Sequence, residues 1–219
     1  MKQNKKGKIL IISGCAGSGK GTVIRLLMEK HNNFQYSVSL TTRAPRDGEK
    51  EGVNYYFVTR ERFTEAIKNG ELVEYTEYCG NFYGTPKKML YEKIGEGYTI
   101  ILEIETDGAA QIMRLIDKND LISVFLSPPT FTSLEERLKG RMTETEASIT
   151  KRLETAKKEA HSAFLYDYIV INHDSRAKDA AETIFELCSD YHHESKLDYI
   201  EEDTLCPSFD EYINNFFKN

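Results

Sequence analysis

The apolar residues of this chain recur at two spacings, and each spacing predicts a kind of secondary structure. After a first β-branched run, Val23, Leu26 and Leu27 recur at helical spacing, together with Ile24 and Met28. Short β-branched and aromatic runs predict strands at residues 8–13, 54–58, 72–78, 98–104, 121–126 and 168–171, with helical patterns between several of them. This alternation predicts an α/β fold with a largely parallel central sheet.

Two stretches depart from the alternation. Residues 39–90 are rich in tyrosine, glycine and short strand-like runs, with one clear helix near 60–68, which predicts a small α+β subdomain. Residues 130–160 predict two helices around 140–146, where Thr143-Glu144-Thr145-Glu146 has the spacing of a capping box. The expected core segments are then 1–38, 91–129 and 161–188, and residues 189–219 form a C-terminal tail in which 212–217 is the clearest periodic stretch.

The net charge of −6 is concentrated at one end of the 219 residues. Residues 191–219 hold seven acidic side chains and two lysines, a net charge of −5, so the rest of the chain is nearly balanced. Long-range attraction of nucleic acid is therefore not expected, and an anionic ligand must be held by cations placed locally. Apolar runs fall short of the roughly 20 residues of a membrane span. We expect a cytoplasmic protein with reduced thiols and small-molecule substrates; the oligomeric state stays open.

A glycine-rich motif follows the first predicted strand and precedes the first predicted helix. Gly14-Cys15-Ala16-Gly17-Ser18-Gly19-Lys20-Gly21-Thr22 matches Gly-x-x-x-x-Gly-Lys, the P-loop. Glycines let successive N–H groups face inward, and the helix N-terminus adds its positive dipole end. A ligand-free glycine turn is the alternative, but the lysine and both flanking elements favour a polyphosphate site.

The residue after Lys20 departs from that motif. Gly21 stands where the motif has a hydroxyl for Mg²⁺, so Thr22 is the nearest metal-binding candidate, directly or through water. Lys20 is expected to neutralise phosphate oxygens during phosphoryl transfer.

Three further stretches decide among the many proteins that contain a P-loop. Tyr36 to Glu49 reads YSVSLTTRAPRDGE, Gly52 to Val58 reads GVNYYFV, and Gly80 to Thr85 reads GNFYGT. In these stretches the chain resembles the guanylate kinase family, and the resemblance spans about residues 8–187. It implies ATP-dependent phosphorylation of GMP, and of dGMP, with Mg²⁺. It also implies a P-loop kinase core, a GMP-binding insertion at 39–90 and a helical lid at 130–160.

The resemblance also implies which residues bind the acceptor. GMP phosphate would be held by Ser39, Arg43, Arg46, Tyr55 and Tyr83, and guanine by Glu74, Thr85 and a carboxylate at Glu103 or Glu105. The chemistry fits independently, since guanidinium forks match phosphate and guanine N1–H and N2–H₂ both donate to carboxylates. Alternation along residues 100–105 would put the last two carboxylates on one face. Here the chain departs from the family pattern, with Glu105 in place of aspartate and Asp107 in place of glutamine.

The donor side is completed by basic residues in the expected lid. The resemblance implies that Arg137, Arg141 and Arg152 close over the ATP phosphates and that Asn172 lies on the adenine side; Lys20, Arg43 and the three lid arginines would act in catalysis. Arg137 and Arg141, four apart, would share a helix face. Taken one by one, the lid arginines also fit a pair of charged helices exposed to solvent.

Two alternative functions remain on the sequence. A guanylate-kinase-like domain can be a non-catalytic peptide-binding module, and a kinase of this architecture can act on another phosphorylated acceptor. The P-loop lysine and the lid arginines favour the enzyme.

Overall fold

The computed structural model describes residues 7–78, 80–140, 146–189 and 203–218. Its helices are α1 Lys20–Lys30, α2 Arg60–Lys68, α3 Lys87–Gly95, α4 Thr106–Leu115, α5 Phe131–Lys139, α6 Glu146–His161, α7 Ala177–Cys188 and α8 Phe209–Phe216. Its strands are β1 Ile9–Ser13, β2 Phe34–Tyr36, β3 Ser39–Thr41, β4 Tyr55–Phe57, β5 Leu72–Tyr78, β6 Asn81–Pro86, β7 Thr99–Glu103, β8 Leu121–Ser127, β9 Tyr168–Ile171 and β10 Leu205–Cys206. The fold is α/β with a mostly parallel central sheet.

Backbone contacts divide the chain into two units. The first comprises Asn33–Leu102 and Asp107–Leu121 with the described residues up to Ile9. The second comprises Leu10–Asn32 and Glu103–Thr106 with the described residues from Ile122 onward.

The first unit contains a four-stranded sheet in the order β4-β3-β6-β5. β3 and β4 are parallel, and β6 runs antiparallel to both β3 and β5. Helix α2 begins after Thr59, whose hydroxyl accepts a hydrogen bond from the Arg62 N–H and so caps the helix. Its buried Phe63 packs with Leu40 and Leu72, so α2 covers one face of this small sheet. β2 and β7 form a parallel pair in the same unit.

The second unit has strands in the order β10-β9-β8-β1. Every residue of β1 and β8 is buried, which is typical of parallel strands covered by helices on both faces. β8 and β9 are parallel, whereas β10 adds an antiparallel edge. Helix α1 packs on α7, where the rings of His31 and Phe185 stack 3.5 Å apart.

The predicted elements are confirmed to within two residues at all six strands, and α2 has its predicted bounds. Two helices, α5 and α6, occupy 130–160 as predicted. Four short strands, β2, β3, β6 and β10, were not predicted individually, because runs of two to six residues with mixed polarity carry little periodic signal. The six-segment division of the chain stays a prediction. No helix in the described stretches is both long and apolar enough to cross a membrane.

Candidate active site

The P-loop connects β1 to α1 by a turn that requires glycine. Gly19 is the N-cap of α1 and has φ of 92°, in the left-handed region. A Cβ at this position would collide with Nδ2 of Asn172. Gly17 has φ of 99°, and its Cβ would meet Leu134 and Leu138 of α5 at 3.0–3.1 Å. The loop is therefore pressed against the end of β9 and against α5.

Lys20 is the first residue of α1, and its ammonium group lies against the loop. Nζ donates to the carbonyl oxygens of Gly14 at 2.6 Å and Cys15 at 3.3 Å. The first N–H groups of an α-helix generally lack carbonyl partners within the helix. Together with the lysine they give this end of α1 a positive potential that suits phosphate oxygens.

Cys15 is fully buried in the loop and donates from Sγ to the Ala156 carbonyl of α6 at 3.5 Å. Burial, followed by the charge of Glu159, raises the pKa of the thiol. The thiol therefore stays protonated at neutral pH, and Cys15 acts as a small packing residue between the loop and α6.

Asn172 follows β9 and fastens the loop to the rest of the unit. Its Nδ2 donates to the Ser18 carbonyl at 2.7 Å, and its backbone N–H donates to the Ser127 carbonyl at 2.7 Å. Arg137 of α5 donates to the Asn172 carbonyl at 2.6 Å and to Asp174 at 2.7 and 2.9 Å. Asn172 Oδ1 is buried without a hydrogen-bond partner in the described part of the chain. This oxygen is a spare acceptor at the edge of the P-loop.

Two carboxylates meet beside the P-loop. β7 ends at Glu103, so the expected strand alternation does not extend to Glu105, which lies in the following loop. Glu105 lies close to Glu159 of α6, and Lys20 is near enough to Glu159 for its charge to act on that carboxyl group. Burial and then Glu105 raise the pKa of Glu159 to about 7, and Lys20 opposes the shift. Two carboxyl groups can share a hydrogen bond when one of them is protonated.

Glu159 was not identified from the sequence. It lies on α6 between Ala156 and Ala160, both fully buried. The sequence signal that could have found Glu159 is an acidic residue between two alanines at helical spacing. Arg152, on the same helix, is half-buried. Arg141 lies outside the described residues, as do residues 143–145 of the expected capping box.

The residues around the loop fit a divalent metal held mainly by phosphates and water. Thr22 is exposed in the first turn of α1. A Cβ at Gly21 would meet nothing within 4 Å, so there is open space where the general motif has a hydroxyl side chain. In the described ranges, no three His, Cys, Asp or Glu side chains group to hold a metal by themselves.

In the first unit, four of the residues predicted to hold the acceptor phosphate come together. Ser39 pairs with Tyr55 across β3 and β4. The Tyr55 and Tyr83 rings meet edge to face at 5.9 Å, and the Arg43 guanidinium lies 5.4 Å from the Tyr55 centroid. The Tyr83 side chain is near enough to Arg43 to contribute, after Glu49, to raising the pKa of its guanidinium. The Tyr55 and Tyr83 rings and the Arg43 guanidinium therefore lie together on the small sheet.

Glu49 holds the turn that carries the arginines. Its Oε1 accepts from Arg43 Nη2 at 2.9 Å and its Oε2 accepts from the Arg46 backbone N–H at 2.8 Å. The Arg43 hydrogen bond holds the pKa of the Glu49 carboxyl below its usual range. Arg46 itself is exposed. Glu49 lay within the recognised motif but was not predicted as a site residue.

Glu74 and Thr85 lie on the neighbouring strands β5 and β6. Thr85 Oγ1 donates to Glu74 Oε1 at 2.7 Å, and both residues are buried. Burial raises the pKa of Glu74, and the hydrogen bonds from Thr85 oppose the shift. The predicted guanine group is thus divided: Glu74 and Thr85 belong to the first unit, whereas Glu103 and Glu105 belong to the second.

Similarity to known proteins extends over most of this chain. The family model described as guanylate kinase matches residues 6–188. A guanylate kinase of Mesoplasma florum is 46% identical over 221 residues, covering 98% of this chain and 74% of that protein. One of Malacoplasma penetrans is 48% identical over 183 residues, covering 83% and 92%. A crystal structure of guanylate kinase from Anaplasma phagocytophilum matches with a TM-score of 0.68 and 32% identity, covering 92% of this chain and 90% of that one. The chain therefore belongs to the guanylate kinase family.

Proposed function

We propose that this protein transfers the γ-phosphoryl group of ATP to a phosphate oxygen of GMP, giving ADP and GDP. One observation carries the proposal. This chain belongs to the guanylate kinase family, and it has the P-loop lysine in one unit and the grouped residues Ser39, Arg43, Tyr55 and Tyr83 in the other. We include dGMP as a second acceptor, because the proposed acceptor groups address the base and the phosphate. Since ATP and GMP are cytoplasmic nucleotides, a cytoplasmic location is part of the proposal.

On the donor side, the backbone of residues 14–22 holds the ATP phosphates, and Lys20 exchanges its two carbonyl partners for β- and γ-phosphate oxygens. The lid arginines Arg137, Arg141 and Arg152 stabilise charge on the transferred group, so Arg137 exchanges its bonds to Asp174 for bonds to phosphate. Asn172 offers the spare Oδ1 to the adenine amino group.

On the acceptor side, Arg43 and Arg46 bind the GMP phosphate, and the hydroxyls of Ser39, Tyr55 and Tyr83 donate to it without adding charge. The attacking oxygen is already ionised at neutral pH, so no general base is needed. The gain in rate comes from positioning and from charge stabilisation.

Guanine is read by Glu74, with Thr85 orienting its carboxylate, and by Glu103 or Glu105. Guanine N1–H and N2–H₂ donate to a carboxylate, and such donors stabilise the ionised form of the buried Glu74. Adenine has no N1–H and would leave the carboxylate without a partner in a buried site, which disfavours AMP.

Mg²⁺ would be held on the protein side by the Thr22 hydroxyl, directly or through water. When bound, the ion supplies charge neutralisation on the phosphates.

The test is ADP formation with GMP, dGMP, AMP, UMP and CMP as acceptors, each with ATP and Mg²⁺. GMP and dGMP are expected to be the best acceptors. Activity with AMP alone would overturn the proposal. Tight GMP binding with no turnover on any acceptor would favour the non-catalytic binding module instead.

A further inference from the structure

The C-terminal segment, residues 203–218, lies outside the stretch matched by the family model, which ends at residue 188. It comprises Asp203, Thr204, strand β10 and helix α8. The alignment with the Mesoplasma florum protein nevertheless covers 98% of the chain. The segment is therefore an addition to the stretch that the family model matches.

The segment runs along β9 and on to the donor loop, defined here as residues 172–176 between β9 and α7. β10 pairs with β9, and the Ile171 N–H donates to the Thr204 carbonyl at 2.7 Å. Asp203 then reaches the loop: its carboxylate accepts from Arg176 Nη1 at 2.6 Å and Nη2 at 3.2 Å, and its carbonyl lies 2.8 Å from His173 Nε2. Residues on either side of Asn172 are thus tied to the C-terminal segment.

Helix α8 supports the same loop from a second direction. Tyr212 is 1% exposed, and its hydroxyl lies 3.1 Å from Ser127 Oγ. Ser127 is the residue whose carbonyl accepts the backbone N–H of Asn172. Phe216 of α8 packs edge to face on Phe131, the first residue of α5, at 5.9 Å, and α5 carries Arg137.

These ties lead to the P-loop through Asn172 and Arg137, both of which donate to the Ser18 carbonyl. Asn172 donates to the Ser18 carbonyl, and Arg137 binds both the Asn172 carbonyl and Asp174. We propose that the C-terminal segment is part of the donor-nucleotide site, with Asp203 as a positioning residue. By holding His173 and Arg176, Asp203 fixes Asn172 against the P-loop and keeps it in register for ATP. The inference rests on the proposed function, because it assigns the donor nucleotide to the P-loop.

The test is Asp203→Asn, which removes the charge and keeps the shape, with Asp210→Asn as the matched control. Asp210 is exposed in the first turn of α8 and undergoes the same chemical change in the same segment. Calorimetric titration gives the Kd for ADP with Mg²⁺ and the Kd for GMP. Steady-state assays give the two KM values.

We expect Asp203→Asn to weaken ADP binding and raise the KM for ATP about 3- to 10-fold, the range seen for residues that act through a contact network. GMP values should change by less than about twofold, and Asp210→Asn should match wild type. Asp203→Glu should recover part of the loss. Equal weakening of both nucleotides, or no weakening of ADP in a folded variant, would contradict the inference.

Failure of the proposed function gives a different result. A wild-type protein that binds ADP but does not phosphorylate GMP contradicts the function alone, and the ADP Kd of Asp203→Asn still decides the inference. Tyr212→Phe, which keeps the ring and removes the Ser127 contact, should shift the ADP Kd in the same direction by a smaller factor. An effect of Tyr212→Phe on GMP alone would count against the inference.

Discussion

The P-loop of the second unit and the Arg43 turn of the first unit both offer cations to phosphate, but they are built in different ways. The P-loop surrounds Lys20 with buried backbone, a buried thiol and the ends of β8 and β9. The Arg43 turn is largely exposed, and it is held by one carboxylate, Glu49, which bonds Arg43 and the backbone of Arg46.

The difference predicts how each side responds to the substitution of a residue. The shape of the P-loop is set by its backbone and by tightly packed glycines. Most substitutions in the loop would therefore disturb that shape. A site built from side chains on a turn depends on each guanidinium and carboxylate separately. Variants on the two sides should therefore separate donor effects from acceptor effects.

The largest expected effect is on the donor side. Lys20→Ala should reduce kcat/KM by roughly 10³-fold or more, because the ammonium stabilises charge that develops during transfer. The GMP Kd from calorimetry should remain near wild type. Lys30→Ala, at the exposed end of α1 where the lysine pairs with Glu182, is the control. Equal loss of GMP binding would erase the proposed division between donor and acceptor sides.

The next effect is on the acceptor side. Arg43→Lys keeps the charge but removes the planar fork, so the KM for GMP should rise roughly 10- to 100-fold while the Kd for ADP stays constant. Arg62→Lys is the matched control, since Arg62 is an exposed arginine of the same unit paired with Glu71. A rise in ADP Kd as large as the rise in GMP KM would break the comparison.

Base selectivity should depend on the buried pair of the first unit. Glu74→Gln keeps the size but replaces an acceptor oxygen by a donor, so the preference for GMP over AMP in kcat/KM should fall about 10- to 30-fold. Glu77→Gln, on the exposed side of the same strand, should leave the preference unchanged. Unchanged selectivity in Glu74→Gln would show that guanine is read elsewhere.

The smallest expected effect is on the pH dependence of the free energy of unfolding, which should differ between the two sides. The pKa of Glu159 is raised from 4.5 to about 7, first by burial and then by Glu105, so the native state binds this proton more tightly than the unfolded chain. This difference contributes on the order of 1–3 kcal/mol to the free energy of unfolding below about pH 4.5. The contribution is lost as pH rises to about 7. Urea unfolding at pH 5 and pH 8 should therefore show a weaker pH dependence in Glu159→Gln.

Glu49 should behave in the opposite sense. Its pKa is lowered by Arg43, so its contribution is present above its ordinary pKa and is lost as pH falls.

Glu154→Gln, on the exposed face of α6, is the control for Glu159→Gln. An unaltered pH dependence in Glu159→Gln would show that this carboxyl group is not the source.

The sequence by itself determined the P-loop, six of the strands and the family, because these depend on local signals. Buried parallel strands read as apolar runs, and a Gly-x-x-x-x-Gly-Lys turn needs its glycines wherever it occurs. The residues around Arg43 and the helix at 60–68 were likewise readable, since they are contiguous in the chain.

Only the tertiary structure decided which distant residues share an environment. Glu159 meets Glu105, and Asp203 holds the loop after β9. Glu103 and Glu105 fall in the P-loop unit, apart from Glu74. Each of these facts depends on packing between segments far apart in sequence, and no periodicity or motif records that packing.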